Sequence, residues 1–184
     1  MKEVIRTVVH EIQQVLTEVN DDQARQLSFY IEDANRIFVT GEGRSGLMGK
    51  AFAMRLMHGG YDVYVTGETI TPNIEKGDLL IAISGSGSTT SICYFAKRAK
   101  ESGACVSAIT TNKHSKLAEI SDHFLIVPAA TKKRLPEEPD TIQPLGNQFD
   151  QSLHLLLDAI IIYTVKQSKT ADHAKMTAKH ANME

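Results

Sequence analysis

The chain has 184 residues, 42% of them hydrophobic, which is enough for one domain spanning residues 1–184 with a sizeable core. Its formal net charge of -2 and sequence pI of about 6.4 come from 20 Lys and Arg against 22 Asp and Glu, scattered rather than massed. That balance offers no basic field for a phosphate backbone, so nucleic acid is excluded as an expected partner.

The predicted elements follow in chain order. Val4, Ile5, Val8, Val9, Ile12, Val15, Leu16 and Val19 recur at helical spacing and predict an amphipathic first helix. The same segment carries no apolar signal core, and the longest apolar runs, 155–157 and 159–163, are far short of a bilayer span. Neither targeting nor membrane attachment is therefore expected. Asn20, Asp21 and Asp22 read as the cap of a second helix running to about Ala34, since short polar side chains accept the orphan N–H bonds of a first turn.

Five short β-rich runs come next, at 36–40, 62–66, 78–83, 104–110 and 123–127, separated by stretches of helical spacing. This alternation builds βαβ units, so the expected fold is α/β: a doubly wound, mostly parallel five-stranded sheet with helices on both faces. The nearly all-apolar runs LLIAIS and FLIVP suit strands buried on both sides. Cys93 and Cys105 fall in a helix and a strand, outside any CxxC or Cys/His pattern, and are expected as reduced core thiols of a cytoplasmic protein.

Pro128, Pro136, Pro139 and Pro144 make residues 128–144 an irregular connection, longer than usual and so a candidate functional loop. A long helix is predicted from about Asn147 to Gln167, with Phe149, Leu153, Leu156, Leu157, Ile160 and Ile161 on its apolar side. The polar stretch to Glu184 is predicted helical.

Two strand-to-helix turns are rich in small residues: Gly41-Glu42-Gly43-Arg44-Ser45-Gly46 after the first strand and Ser84-Gly85-Ser86-Gly87-Ser88-Thr89 after the third. In an open α/β sheet ligands bind at such turns, where helix N-termini offer free N–H groups and a partial positive charge. Glycines let the backbone approach an anion, and hydroxyls donate to it without adding charge. A phosphate monoester fits that lining, with Gly43 and Gly85 among its glycines. The first turn also matches the glycine pattern of a dinucleotide site. That site wants an acidic residue at the end of the second strand, where this chain has Tyr64-Val65-Thr66-Gly67 and only then Glu68.

The second turn resembles the S-x-S-G-E-T loop of SIS (sugar isomerase) domains, and Gly43-Arg44-Ser45-Gly46 resembles their first phosphate-side loop. Within that family the chain is most similar to the 6-phospho-3-hexuloisomerases. The similar segments are Gly43-Arg44-Ser45-Gly46-Leu47-Met48, Ala53-Met54-Arg55-Leu56-Met57-His58, Thr141-Ile142-Gln143-Pro144-Leu145-Gly146, Phe149-Asp150-Gln151 and the terminal His180-Ala181-Asn182-Met183-Glu184.

The resemblance implies a flavodoxin-like SIS fold and a cytoplasmic isomerase that needs no cofactor. Its substrate would be a sugar phosphate, with D-arabino-3-hexulose 6-phosphate and D-fructose 6-phosphate interconverted through an enediol. It further implies phosphate contacts from Ser45, Ser84, Ser86 and Thr89, and a homotetramer built from dimers with sites shared between subunits. Ser88 stands where the family commonly has Glu.

Moving a carbonyl between C3 and C2 requires a base and a group that stabilises the growing oxyanion. The family's G-x-x-F-E motif points to Asp150 as base, with a first-turn acid favoured by the helix dipole as the alternative. Arg44 is a candidate for the enediolate or the phosphate, an exposed ion pair being its other reading. His58 and the tail residue His180, which the resemblance places in a neighbouring subunit's site, are the candidate histidines. No spacing in the chain matches a metal site, and none is expected. Two other readings share these loops: an arabinose 5-phosphate isomerase, and a non-catalytic phosphosugar-binding module.

Overall fold

The structure, a computed structural model, describes residues 1–168 and 172–182. Two helices, α1 (Lys2–Thr17) and α2 (Asp21–Asp33), precede the sheet, and the side chain of Asn20 caps α2 by accepting from the Gln23 N–H at 3.0 Å. The alternating part then runs β1 (Ile37–Gly41), α3 (Gly43–Gly59), β2 (Val63–Val65), β3 (Leu79–Ile83), α4 (Thr90–Glu101), β4 (Cys105–Thr110), α5 (Lys116–Ile120) and β5 (His123–Ile126). After the irregular segment come α6 (Asn147–Ser168) and the short α7 (His173–Ala178). The strands lie in the order β2-β1-β3-β4-β5, and every pairing is parallel.

Side chains alternate across each strand, so each sheet face collects its own apolar set. Ile37, Val39, Leu79, Ile81, Ile83 and Ile109 point to one face and pack against α2, α3 and α6 through Leu27, Ile31, Phe52, Leu56, Phe149 and Leu157. Phe38, Leu80, Ala82, Val106 and Ala108 point to the other and meet α4 and α5 through Ile92, Ala96 and Leu117. The two-sided burial explains why these strands read as continuous apolar runs.

Along α1 the apolar stripe divides: Val4, Ile5 and Val9 stay exposed, while Ile12 and Val15 are buried, because only the second half of the helix meets the body of the domain. Two expectations need correction. Cys105 is half-buried rather than in the core, its thiol pushed up to about 11 chiefly by burial, whereas Cys93 is buried as expected. Among the described residues the tail has one short helix, which buries no residue; residues 169–171, Met183 and Glu184 lie outside the described residues. No helix among the described residues is long and apolar enough to cross a membrane.

Candidate active site

The strand order reverses direction between β1 and β3: the connection from β1 through α3 passes over one face, and the connection from β3 through α4 over the other. At such a switch point the two strand-to-helix turns diverge and leave a crevice beyond the strand ends. Gly41 is in register with Ile83, so the two small-residue turns stand side by side across it. Glu42 and Ser91 bridge them, the Ser91 hydroxyl donating to Glu42 Oε1 at 2.9 Å.

Each turn is shaped by its glycines. Gly46 lies so close to the end of β1 that a Cβ there would sit 2.4 Å from the Gly41 carbonyl oxygen. Gly43 has φ of +57° and an open space where a side chain would be, which leaves the first-turn N–H groups of α3 accessible. In the second turn the Gly85 carbonyl accepts from Thr110 Oγ1, Thr111 Oγ1 and the Thr111 N–H, at 3.1, 2.9 and 3.1 Å. Because a peptide group is planar and trans, the Ser86 N–H then points away from β4. Ser84 is buried, with its hydroxyl 2.8 Å from that of Thr89. Ser86 is partly exposed and accepts from the Ser88 hydroxyl at 3.1 Å.

The third wall is the start of α6. Phe149 packs against Gly85, where an added Cβ would meet its ring at 3.3 Å. Asp150 is buried and accepts from the Ser45 hydroxyl at 2.8 Å, while Arg44 Nε lies 3.5 Å from its second oxygen. Burial raises the Asp150 pKa above the ordinary carboxylate value, although the Ser45 hydrogen bond and the Arg44 charge oppose that rise. The carboxylate stands in the first turn of α6, as the helix-dipole alternative also expects, and its hydrogen bond runs across to α3. Arg44 is half exposed and also donates to Asn147 Oδ1.

Ser45, Arg44, Gly43, Ser84, Gly85, Ser86, Thr89 and Asp150 therefore converge on one crevice. His58 and His180 do not join them within one chain. His58 is near the other end of α3, about 20 Å along the helix from Ser45 at 1.5 Å per residue. There its ring stacks on that of His180, with centroids 5.4 Å apart and planes at 19°. His58 is buried, and burial, then His180 and Arg55, hold its pKa below the usual value.

Asn147, Glu42, Ser91 and the threonine pair 110–111 were not singled out from the sequence. Their roles depend on partners distant in the chain, and only the position of Asn147 beside Asp150 gave a signal. Glu68, the residue a dinucleotide site would need, is paired with Lys50 at 2.9 Å. Among the described residues no group of three or more His, Cys, Asp or Glu lies together as a metal site would require.

The chain is similar to known proteins over most of its length. The SIS domain model matches residues 30–139. The chain is 37% identical over 182 residues to the 3-hexulose-6-phosphate isomerase of Bacillus subtilis, covering 99% of this chain and 98% of that protein. It is 37% identical over 174 residues to the Mycobacterium gastri enzyme of the same name, covering 95% and 86%. A Methanococcus jannaschii protein, whose crystal structure is said to infer a molecular function of 3-hexulose-6-phosphate isomerase, superimposes over 100% of both chains. Its TM-score is 0.84 and its identity 34%.

Proposed function

The chain belongs to the SIS domain family, and we propose that the β1/β3 crevice is where it isomerises 3-hexulose 6-phosphate to fructose 6-phosphate, with Asp150 as the base. The protein is an isomerase of this substrate, the second step of the ribulose monophosphate route for formaldehyde. The observation that supports Asp150 is its placement: a buried carboxylate facing two hydroxyl-lined turns at the switch point of the sheet.

In this reading the phosphate rests on the first-turn N–H groups of α3 and the hydroxyls of Ser84, Ser86 and Thr89, which fixes which carbon faces Asp150. Asp150 takes the proton from C2, the C2–C3 enediolate forms with charge on the C3 oxygen, and the Arg44 cation stabilises that charge. The same carboxyl then delivers the proton to C3 while the C2 hydroxyl proton passes to the C3 oxygen, leaving the carbonyl at C2 and a hydroxyl at C3. No electrons are exchanged with an outside group.

His58 and His180 fit this chemistry only in another subunit's site, so a homotetramer of dimers with shared sites is part of the proposal. The exposed Val4, Ile5 and Val9 of α1, with Leu155 and Ile162 of α6, support it by offering apolar surface that one domain leaves uncovered. The two free thiols agree with a cytoplasmic setting.

The assay supplies purified protein with 3-hexulose 6-phosphate, made in place from ribulose 5-phosphate and formaldehyde by a condensing aldolase, and follows fructose 6-phosphate in the presence of EDTA. Rapid product is the expected result. Retained binding of sugar phosphates without turnover would turn the reading to a binding module, and turnover abolished by EDTA would require a metal.

A further inference from the structure

Glu11 lies in the buried half of α1, far along the chain from every crevice residue, and is only 6% exposed. Among the described residues no Lys or Arg nitrogen comes within salt-bridge distance of it, so neutral donors hold the charge. They all come from one short stretch. Thr141 Oγ1 and Gln143 Nε2 donate to Oε2, the latter at 3.0 Å, and the Ile142 N–H donates to Oε1 at 2.8 Å. Gln143 is itself buried, and its carbonyl accepts from Arg134. Burial pushes the Glu11 carboxyl up, but these hydrogen bonds and the Arg134 charge outweigh it and hold the pKa below the ordinary value. The group is thus a carboxylate throughout the neutral range.

The stretch that Glu11 grips runs directly into α6. Pro144 accepts from the Asn147 N–H and Gly146 from the Asp150 N–H, both at 3.1 Å, with Leu145 between them at a φ of 55°. The turn 144–146 is therefore the entry to the helix that carries Asp150 and Asn147. A second tie works from the opposite side, Gln148 Oε1 accepting from the Ala130 N–H at 2.7 Å. Both Glu11 and residues 141–150 lie outside the 30–139 stretch matched by the family model, so the grip joins the two flanks of the matched core.

We infer that Glu11 is a positioning residue for the isomerisation: by fixing 141–143 it sets the turn into α6, and with it the reach of Asp150 toward Ser45 and the crevice. The inference rests on Asp150 being the base. A carboxylate suits the task because two oxygens meet three donors at once, and an amide in its place would set a donor against a donor.

The test uses the full chain with Glu11→Gln, Thr141→Val and Asp150→Asn. In Glu11→Gln the expected kcat falls roughly 10-fold or more, since small displacements of a catalytic group are costly. The affinity for fructose 6-phosphate, set by the untouched turns, stays within about twofold. Amide exchange at Ile142, Gln143 and Asn147 accelerates. Thr141→Val, which keeps the carboxylate and removes one donor, shows the same split in smaller measure and carries the test if Glu11→Gln does not fold. Unchanged kcat in both variants beside an inactive Asp150→Asn overturns the positioning role alone. So does a loss that appears equally in affinity and simply follows the folded fraction. A fully active Asp150→Asn overturns both readings, because no base then remains for Glu11 to position.

Discussion

Ser45 donates a 2.8 Å hydrogen bond to Oδ1 of Asp150 across 105 residues of sequence, tying the first turn of α3 to the first turn of α6. The bond orients the carboxylate without neutralising it, and burial raises its pKa, which is the combination a general base needs. Asp150→Asn keeps the shape and the Ser45 bond but removes the proton acceptor, so kcat is expected to fall roughly 10²-fold or more. The wild-type kcat profile should lose activity on the acid side above the ordinary carboxylate value of about 3.9. Stability moves the other way. A folded pKa raised above the unfolded one means that the carboxyl's stabilisation is full below the unfolded value and lost as pH rises through the folded one. Urea unfolding at neutral pH should therefore find Asp150→Asn more stable than wild type; a less stable variant would return Asp150 to a structural role.

The architecture was readable because its signals are local: the strand and helix alternation, the Asn20 cap and the Asn147 helix start all lie in short windows of sequence. The two turns and Asp150 were readable for the same reason, as each sits where a periodic run ends. The bonds that join them were not. Glu42 to Ser91, Arg44 to Asn147 and Glu11 to Thr141 pair residues whose proximity only the finished sheet creates. The histidines show a different gap. Periodicity reveals that His58 shares a helix with Ser45, but a functional role read from a motif ignores the length of that helix. Likewise a stripe of apolar residues marks the buried side of α1 without saying how far its partner extends.

Ser84 is the most enclosed hydroxyl of the second turn, and its 2.8 Å contact with Thr89 holds both oxygens in one place. A hydroxyl donating to a phosphate makes a charge-assisted bond, so Ser84→Ala should raise KM about 10-fold, and weaken inhibition by inorganic phosphate alike, with a smaller change in kcat. Steady-state kinetics with fructose 6-phosphate measures this. An unchanged KM would move the phosphate away from this turn.

Gly46 and Gly43 share one turn but predict different outcomes. A Cβ on Gly46 meets the Gly41 carbonyl at 2.4 Å, and since the obstacle is backbone, α3 must shift away from β1. Gly46→Ala should lose about 1–3 kcal/mol of stability and displace the first-turn N–H groups of α3. Gly43→Ala meets nothing, and only its φ of +57° resists, so about 1–2 kcal/mol is expected with the turn in place. Thermal melts and KM together separate the cases; equal effects on both measures would mean that space around Gly46 is not limiting.

The tail gives the test of sharing between subunits. His180 is exposed and α7 buries no residue, so ending the chain after Lys179 should leave the melting temperature nearly unchanged. The His58 pKa is depressed chiefly by burial, so the stability that its neutral ring contributes is present above the ordinary histidine value of about 6.5 and lost as pH falls below it. If His180 completes a neighbouring subunit's site, the truncated chain has low kcat, yet mixing it with inactive Asp150→Asn chains under exchange conditions restores turnover. Some mixed sites then receive Asp150 from one chain and His180 from the other. A tail acting within its own chain restores none, since every chain in the mixture lacks one of the two groups. A truncated chain with full activity removes His180 from the reaction altogether.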